Sequence, residues 1–480
     1  MNVARFSAAI YRLITAEQSA GSRLRVSFGV HSATRKETGM TNSFSRSPEE
    51  ARLAPPEEHL YVAAMRVGTG VDAPDFLAVV DTRPESETYG QIVHETSMAH
   101  VGDELHHFGW NRCSSACSGP DRSHLIIPGF RSSRVYVVNV ADDPLRPWIE
   151  KVIEPEQLAR TTGYTRPHTT HCMPGENVVI SMLGDVEGNA AGGFAVIDAK
   201  TFEVKGRWEN GAPRPAMNYD FWYQPRKNTL VSSEFGVPNA YEAGFDLADV
   251  EAGRYGQRLH FWNLERRELE QTIDLGATGL VPLEIRWKHD PDADEGFVGA
   301  ALSSTLWRFH RENGSYAAEP VVAVEAVELD GWPIPVPGLI TDLVLSMDDK
   351  ALYFSNWLHG DLRRYDVSDP ANPRLTGRLW LGGVLGKEND AGRPLTGGPQ
   401  MLQLSYDGRR LYVTNSLLSS WDNQFYPELR SYLLKVDVAE DGSMAVDPEF
   451  FVDFHNRPDG PARAHEVRLQ GGDSTSEVFR

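Results

Sequence analysis

The chain has 480 residues, 41% of them hydrophobic, which is ample for a large buried core. Its 47 Lys and Arg against 67 Asp and Glu give a formal charge of −20, a balance that disfavours nucleic acid and anionic membranes as partners. Three cysteines (Cys113, Cys117 and Cys172) are too few for a disulfide framework and fit a reducing compartment, and no apolar run approaches the roughly 20 residues that span a bilayer.

Residues 1–45 are rich in Ser, Ala and Arg and carry no lasting hydrophobic periodicity. The apolar stretch 7–16 is short for a signal-peptide core and is interrupted by Arg12. A more ordinary beginning follows Met40, so 1–39 reads as an upstream start or a disordered arm. The expected organisation is an N-terminal extension over 1–45 and one domain over 46–480. Cytoplasm is the expected location, and an export signal in 1–39 would change it to periplasm.

Beyond the extension, short apolar runs ending at or near an acidic or amide residue recur along the chain. They fall at 76–81, 135–140, 194–198, 259–264, 306–310, 362–367 and 433–438. All-strand repeats with a spacing of roughly 60 residues indicate four-stranded propeller blades. The stretch 346–356 also matches 405–415 as S-x-D-x-x-x-L-Y-apolar-S/T-N, in which an Asp-Asp or Asp-Gly turn leads into an alternating strand. This register starts the innermost strands near His106, His168, Tyr219, Glu284, Thr341, Gln400 and His465. The last of them, 464–468, should complete the first blade beside 60–66 and so remove a free sheet edge. The predicted fold is all-β: a seven-bladed β-propeller closed by pairing of N-terminal and C-terminal strands, with a disordered N-terminal arm.

Inner-strand starts converge on one end of a propeller's axial channel, and several of the 15 histidines fall there. His106, His107, His168 and His465 form the converging set, with His171 and His359 as further candidates. Imidazole suits Zn, Cu, Fe or Ni, and a site with few carboxylates makes Ca or Mg a poor fit. Isolated histidines such as His260, His289 and His310 read instead as hydrogen-bonded core residues. Asp220, Glu234, Glu284, Asp342 and Glu466 lie near inner strands, where a carboxylate more often braces blades than takes protons. Glu234 and Glu284 are carried forward as candidate catalytic groups, together with Cys113. Cys113 and Cys117 are separated by three residues, so they make no C-x-x-C motif, and with no second cysteine pair a four-thiolate zinc site is excluded. Dinucleotide, Walker, nucleophile-elbow and H-E-x-x-H motifs are all absent.

Long motifs carry a resemblance: DELHHFGWNRCSS (103–115), HTTHC (168–172), GDVEGNAAGGFAVID (184–198), YDFWYQPR (219–226), PLEIRWKHDPDADEGFVGAALSST (282–305), PGLITDLVLSMDDKALYFSNWLHGDLRRYD (337–366), WDNQFYP (421–427) and AHEVR (464–468). From about residue 60 to the end the chain resembles the selenium-binding protein family, whose characterised members include methanethiol oxidases. The resemblance implies a propeller, copper as cofactor, and oxidation of methanethiol with O2 and water to formaldehyde, hydrogen sulfide and hydrogen peroxide. It implies His106, His107, His168 and His465 as copper ligands, with His171 and His359 weaker. Two departures stand out. Ala64 occupies the position where vertebrate members carry a cysteine linked to selenium binding, and the segment around 382–398 is shorter than in those members. Both suggest a bacterial-type member. Two other readings remain at this level: a non-catalytic selenium- or thiol-binding propeller or interaction scaffold, and a different propeller oxidoreductase or lactonase using Ca or Zn. The sequence leaves the oligomeric state open.

Overall fold

A computed structural model of the chain describes residues 45–113, 116–117 and 122–480. The expected disordered arm therefore lies, apart from Ser45, outside the described residues. Seven four-stranded antiparallel sheets are arranged as the blades of a β-propeller. Their innermost strands are Arg463–Leu469, Gly109–Trp110, Thr165–Met173, Phe221–Gln224, Pro282–Trp287, Ile340–Leu345 and Leu402–Leu404. Each of the seven apolar runs read from the sequence is the third strand of its blade, counted outward from the axis. Second and third strands are almost wholly buried, whereas an outermost strand such as Glu268–Asp274 alternates strictly between half-buried and exposed. That gradient follows from a blade with neighbours on both faces near the axis and water at its rim.

The repeated S-x-D motif has a local explanation. Ser346 donates to Asp348 (2.6 Å) and accepts from the Ala351 amide (3.0 Å); Ser405 likewise donates to Asp407 (2.7 Å) and accepts from the Arg410 amide (3.0 Å). The next position is left-handed in both copies, Asp349 at φ +56° and Gly408 at φ +74°, which is why it holds Asp or Gly. The far end of the motif ties one blade to the next. Ser355 donates to the Gln400 carbonyl (2.6 Å) and Thr414 to the His465 carbonyl (2.6 Å), and Ser233 repeats the pattern with Leu283 (2.7 Å). Asp220 and Asp342 accept from the Ile285 and Leu402 amides (both 2.7 Å), so these two carboxylates brace successive inner strands.

Closure joins the two ends of the fold. Arg463–Leu469 pairs with His59–Met65, Leu60 facing Leu469 and Val62 facing Val467. Leu60, Val62, Ala64, Val467 and Leu469 then pack with Tyr412, Leu433 and Phe450 across the seam between the last blade and the first. Each Leu or Val buried there contributes about 1.5–3 kcal/mol. Among the described residues, no helix is long and apolar enough to cross a membrane.

Candidate metal centre in the axial channel

Four histidines from three blades meet at one end of the axis. The ring of His106 lies 4.7 Å from His107, 4.7 Å from His168 and 4.0 Å from His465, and His107 lies 4.3 Å from His168. His106, His107 and His465 each bring a ring nitrogen to within 4.8 Å of the others.

Neighbouring contacts explain how the chain holds them. In D-E-L-H-H, Asp103 accepts from Tyr136 (2.6 Å), and Glu104 accepts from Arg131 (2.7 Å) and from the Ser419 amide (2.6 Å). The His106 amide donates to the Pro128 carbonyl (3.0 Å). The regular strand begins only at Gly109, so two consecutive residues turn their rings to the same side, stacked at 8°. A Cβ on Gly109 would meet the Thr170 carbonyl oxygen at 2.3 Å; glycine there lets the strand bearing His168 come close. His465 is fixed twice, its carbonyl by Thr414 and its Nδ1–H by the Ser416 carbonyl (2.8 Å). His168 Nδ1 shares a hydrogen bond with the Thr169 hydroxyl (2.9 Å).

One nitrogen on each ring is left over. His106 Nδ1, His107 Nε2, His168 Nε2 and His465 Nε2 are buried without a hydrogen-bond partner. Burial lowers the pKa of all four, His465 to about 4, and the rings disfavour one another's charge. They are therefore neutral and present lone pairs. Leaving four polar atoms unsatisfied costs about 1–3 kcal/mol each. A cation offsets that cost, and this donor set fits copper, zinc or another imidazole-binding metal.

Around the imidazoles lie an apolar cavity and a buried charge network. The cavity, about 20 Å³, is lined by His106, His168, Phe130, Tyr219, Phe235 and Trp421 among others. Its size corresponds to very few small molecules. The Glu284 carboxylate approaches His107 Nδ1 at 3.4 Å. Behind it Arg286 contacts Glu284, Asp220 and Asp342, while Arg468 contacts Glu466 (2.5 Å) and Gln403 (3.0 Å). Four carboxyl groups thus share two guanidinium groups. Burial and the nearby Asp220 carboxylate raise Glu284 well above the usual carboxylate range, against the pull of Arg286.

Several sequence candidates lie elsewhere. Glu234 faces away from the four rings, where its carboxylate meets His260 (3.1 Å) and the Gln257 amide (3.3 Å) and braces two strands of its own blade. His171 lies further along the same inner strand, past an irregularity in its pairing, and its ring packs against Phe221 and Trp222 instead. His359 follows its strand in a loop and binds the Val336 carbonyl (2.9 Å). Cys113 gathers with Cys117 and Cys172, a convergence that the Cys113–Cys117 spacing did not announce. His260 and His289 are hydrogen-bonded core residues, as read from the sequence. Tyr219, whose ring lies 3.9 Å from His168, and Thr169 were missed as site residues. Their nearness to the inner-strand starts was the signal available.

Comparison with known proteins places the chain among relatives. The profile of the 56 kDa selenium-binding protein family matches residues 40–480. A methanethiol oxidase of Xenopus laevis is 48% identical over 461 residues, covering 90% of this chain and 98% of that protein. Selenium-binding protein 2 of Arabidopsis thaliana is 46% identical, with 90% of this chain and 94% of that protein covered. The X-ray structure of a hypothetical selenium-binding protein from Sulfolobus tokodaii aligns with a TM-score of 0.87 at 45% identity, over 92% of this chain and 99% of that one.

Proposed function

The chain belongs to the 56 kDa selenium-binding protein family, and we propose that it is a methanethiol oxidase working at a copper ion held by His106, His107, His168 and His465. The reaction is methanethiol plus O2 and water to formaldehyde, hydrogen sulfide and hydrogen peroxide. One observation carries the reading: His106, His107 and His465 bring ring nitrogens within 4.8 Å of one another, and beside them the ring of His168 keeps a buried Nε2 without a partner. Bound there, copper would supply a soft, redox-active centre that favours the thiolate form of the substrate.

The protein's own groups do the rest. The apolar walls from Phe130, Phe235 and Trp421 exclude water and favour a small, uncharged thiol. Glu284 stands beside His107 and, as the carboxylate, is the group assigned to take the methyl C–H proton. Arg286 holds Glu284 in place and offsets the charge of the carboxylates behind it. Hydrogen bonds to Thr169 and Ser416 fix the orientation of His168 and His465.

The test is metal analysis of copper-supplemented protein together with oxygen uptake on methanethiol, for the wild type and His168→Ala. Near-stoichiometric copper and thiol-dependent uptake, both lost in the variant, support the reading. Protein that binds no copper and consumes no oxygen defeats it.

A further inference from the structure

At the opposite end of the same inner strand lies a second convergence of ligand-bearing side chains. Cys172 is four residues beyond His168, about 13 Å at the strand rise of 3.3 Å per residue. Cys113 follows the inner strand of the preceding blade, and Cys117 returns to it four residues later. The three sulfurs lie within 4.8 Å of one another, and Cys113 Sγ is 3.3 Å from Cys117 Sγ. All three are buried, with exposures of 2%, 4% and 3%, among Tyr223, Trp222, Phe194 and Phe221. Among the described residues, no imidazole or carboxylate belongs to the group.

We propose that Cys113, Cys117 and Cys172 form a second metal site, which takes one soft monovalent ion, copper(I), in an all-sulfur environment. Three observations favour it over an ordinary packed cluster. First, the residues come from two blades and a connecting loop, yet their sulfurs converge on one point with spacings that suit a shared ion. Second, the loop that carries two of the sulfurs is held by buried arginines, whose charges are met by Glu176 and Glu477. Buried Arg112 donates to the Cys117 carbonyl (3.2 Å), and Arg122, also buried, donates to the Arg112 carbonyl (3.0 Å). Third, the ligand count selects the ion. Zinc takes four ligands in a tetrahedron. The Tyr223 hydroxyl stands 3.7 Å from Cys117 Sγ, beyond bonding distance of an ion held by the sulfurs. Three sulfurs alone match soft copper(I). The Ala116 amide donates to the Val478 carbonyl (3.2 Å), so the C-terminal segment covers this loop.

The site is independent of the histidine centre, and one experiment separates them. Full-length reduced protein is titrated anaerobically with copper(I) against a competing chelator, and the bound copper is examined by X-ray absorption. The wild type should take two equivalents, one of them sulfur-coordinated. A triple variant Cys113→Ser, Cys117→Ser, Cys172→Ser should take one and lose the sulfur scatterers, whereas His168→Ala should keep them. If the triple variant fails to fold, Cys172→Ala serves, with fewer sulfur scatterers per copper or loss of that equivalent. A wild type holding a single, sulfur-bound equivalent upholds this site and counts against the histidine reading. Copper bound only through nitrogen, with uptake unchanged in the cysteine variants, overturns the proposal. So does a thiol count showing Cys113 and Cys117 joined as a disulfide in protein purified without oxidant.

Discussion

His106 and His465 stack with ring centroids 4.0 Å apart and planes 18° from parallel, although they come from opposite ends of the folded chain. His465 rides on the strand that closes the propeller, and His106 on the segment leading into the next blade. The candidate metal centre therefore exists only when the ring is closed, which couples metal binding to folding.

That coupling can be tested by ending the chain at Gly460. This removes the closing strand Arg463–Leu469, exposes the edge of His59–Met65 and deletes His465 together with the buried Val467 and Leu469. The expected protein shows no cooperative thermal transition by circular dichroism and retains no copper at the channel. A sharp melt with wild-type copper content would mean that closure does not build the site.

Thr169→Val leaves the volume of the side chain nearly unchanged and takes away the hydroxyl that orients His168. Outer hydrogen bonds of this kind are worth about 10–100-fold in metal affinity. Copper affinity measured by chelator competition should fall in that range, with the melting temperature little altered. Unchanged affinity would show that packing against Tyr219 suffices to set the ring.

Glu284→Gln keeps the shape beside His107 and removes the proton acceptor. Loss of a general base lowers turnover by about 10²–10⁴-fold. Oxygen uptake on methanethiol should drop by that factor while copper content stays at the wild-type level. Retained turnover would assign proton removal to another group.

The fold was legible because blades repeat. The third strand of every blade and all seven inner-strand starts could be placed from apolar runs and the S-x-D-x-x-x-L-Y motif alone. His106, His107, His168 and His465 followed, because position at an inner-strand start determines proximity to the axis. Side-chain direction was less legible. His171 and Glu234 lie near the channel in sequence terms, but a bulge in its strand and packing on Phe221 and Trp222 for the one, and a local partner, His260, for the other, turn them elsewhere. The three cysteines were hardest to read, because their meeting depends on where a loop after one blade touches the end of the next blade's inner strand.

His289 makes stability depend on pH. Burial opposes its charge, but Asp349 Oδ1 at 3.1 Å from Nδ1 and the Ser474 carbonyl at 2.8 Å from Nε2 outweigh it and raise its pKa. Both ring nitrogens donate only in the imidazolium form. A raised folded-state pKa adds stability that is complete below the unfolded value of about 6.5 and is lost as pH rises through the folded value. The melting temperature should thus fall as pH rises above about 6.5. His289→Gln should flatten that dependence and cost about 3 kcal/mol at the acid end. Identical pH profiles for wild type and variant would remove His289 as the source.

Leu417 tests whether the apolar cavity sets substrate size. It lines the cavity beside the histidines with 8% of its surface exposed, so truncation enlarges the space. Each methylene accommodated or refused in an apolar pocket is worth about 1–3 kcal/mol, or 10–200-fold in kcat/KM. Leu417→Ala should therefore raise the ratio of kcat/KM for ethanethiol over methanethiol within that range. Copper content should not change, because Leu417 offers no ligand and holds none of the four rings by a hydrogen bond. A ratio equal to that of the wild type would move the control of size to the larger aromatic walls, Phe130, Phe235 and Trp421, and the same assay on Phe235→Leu would then locate it.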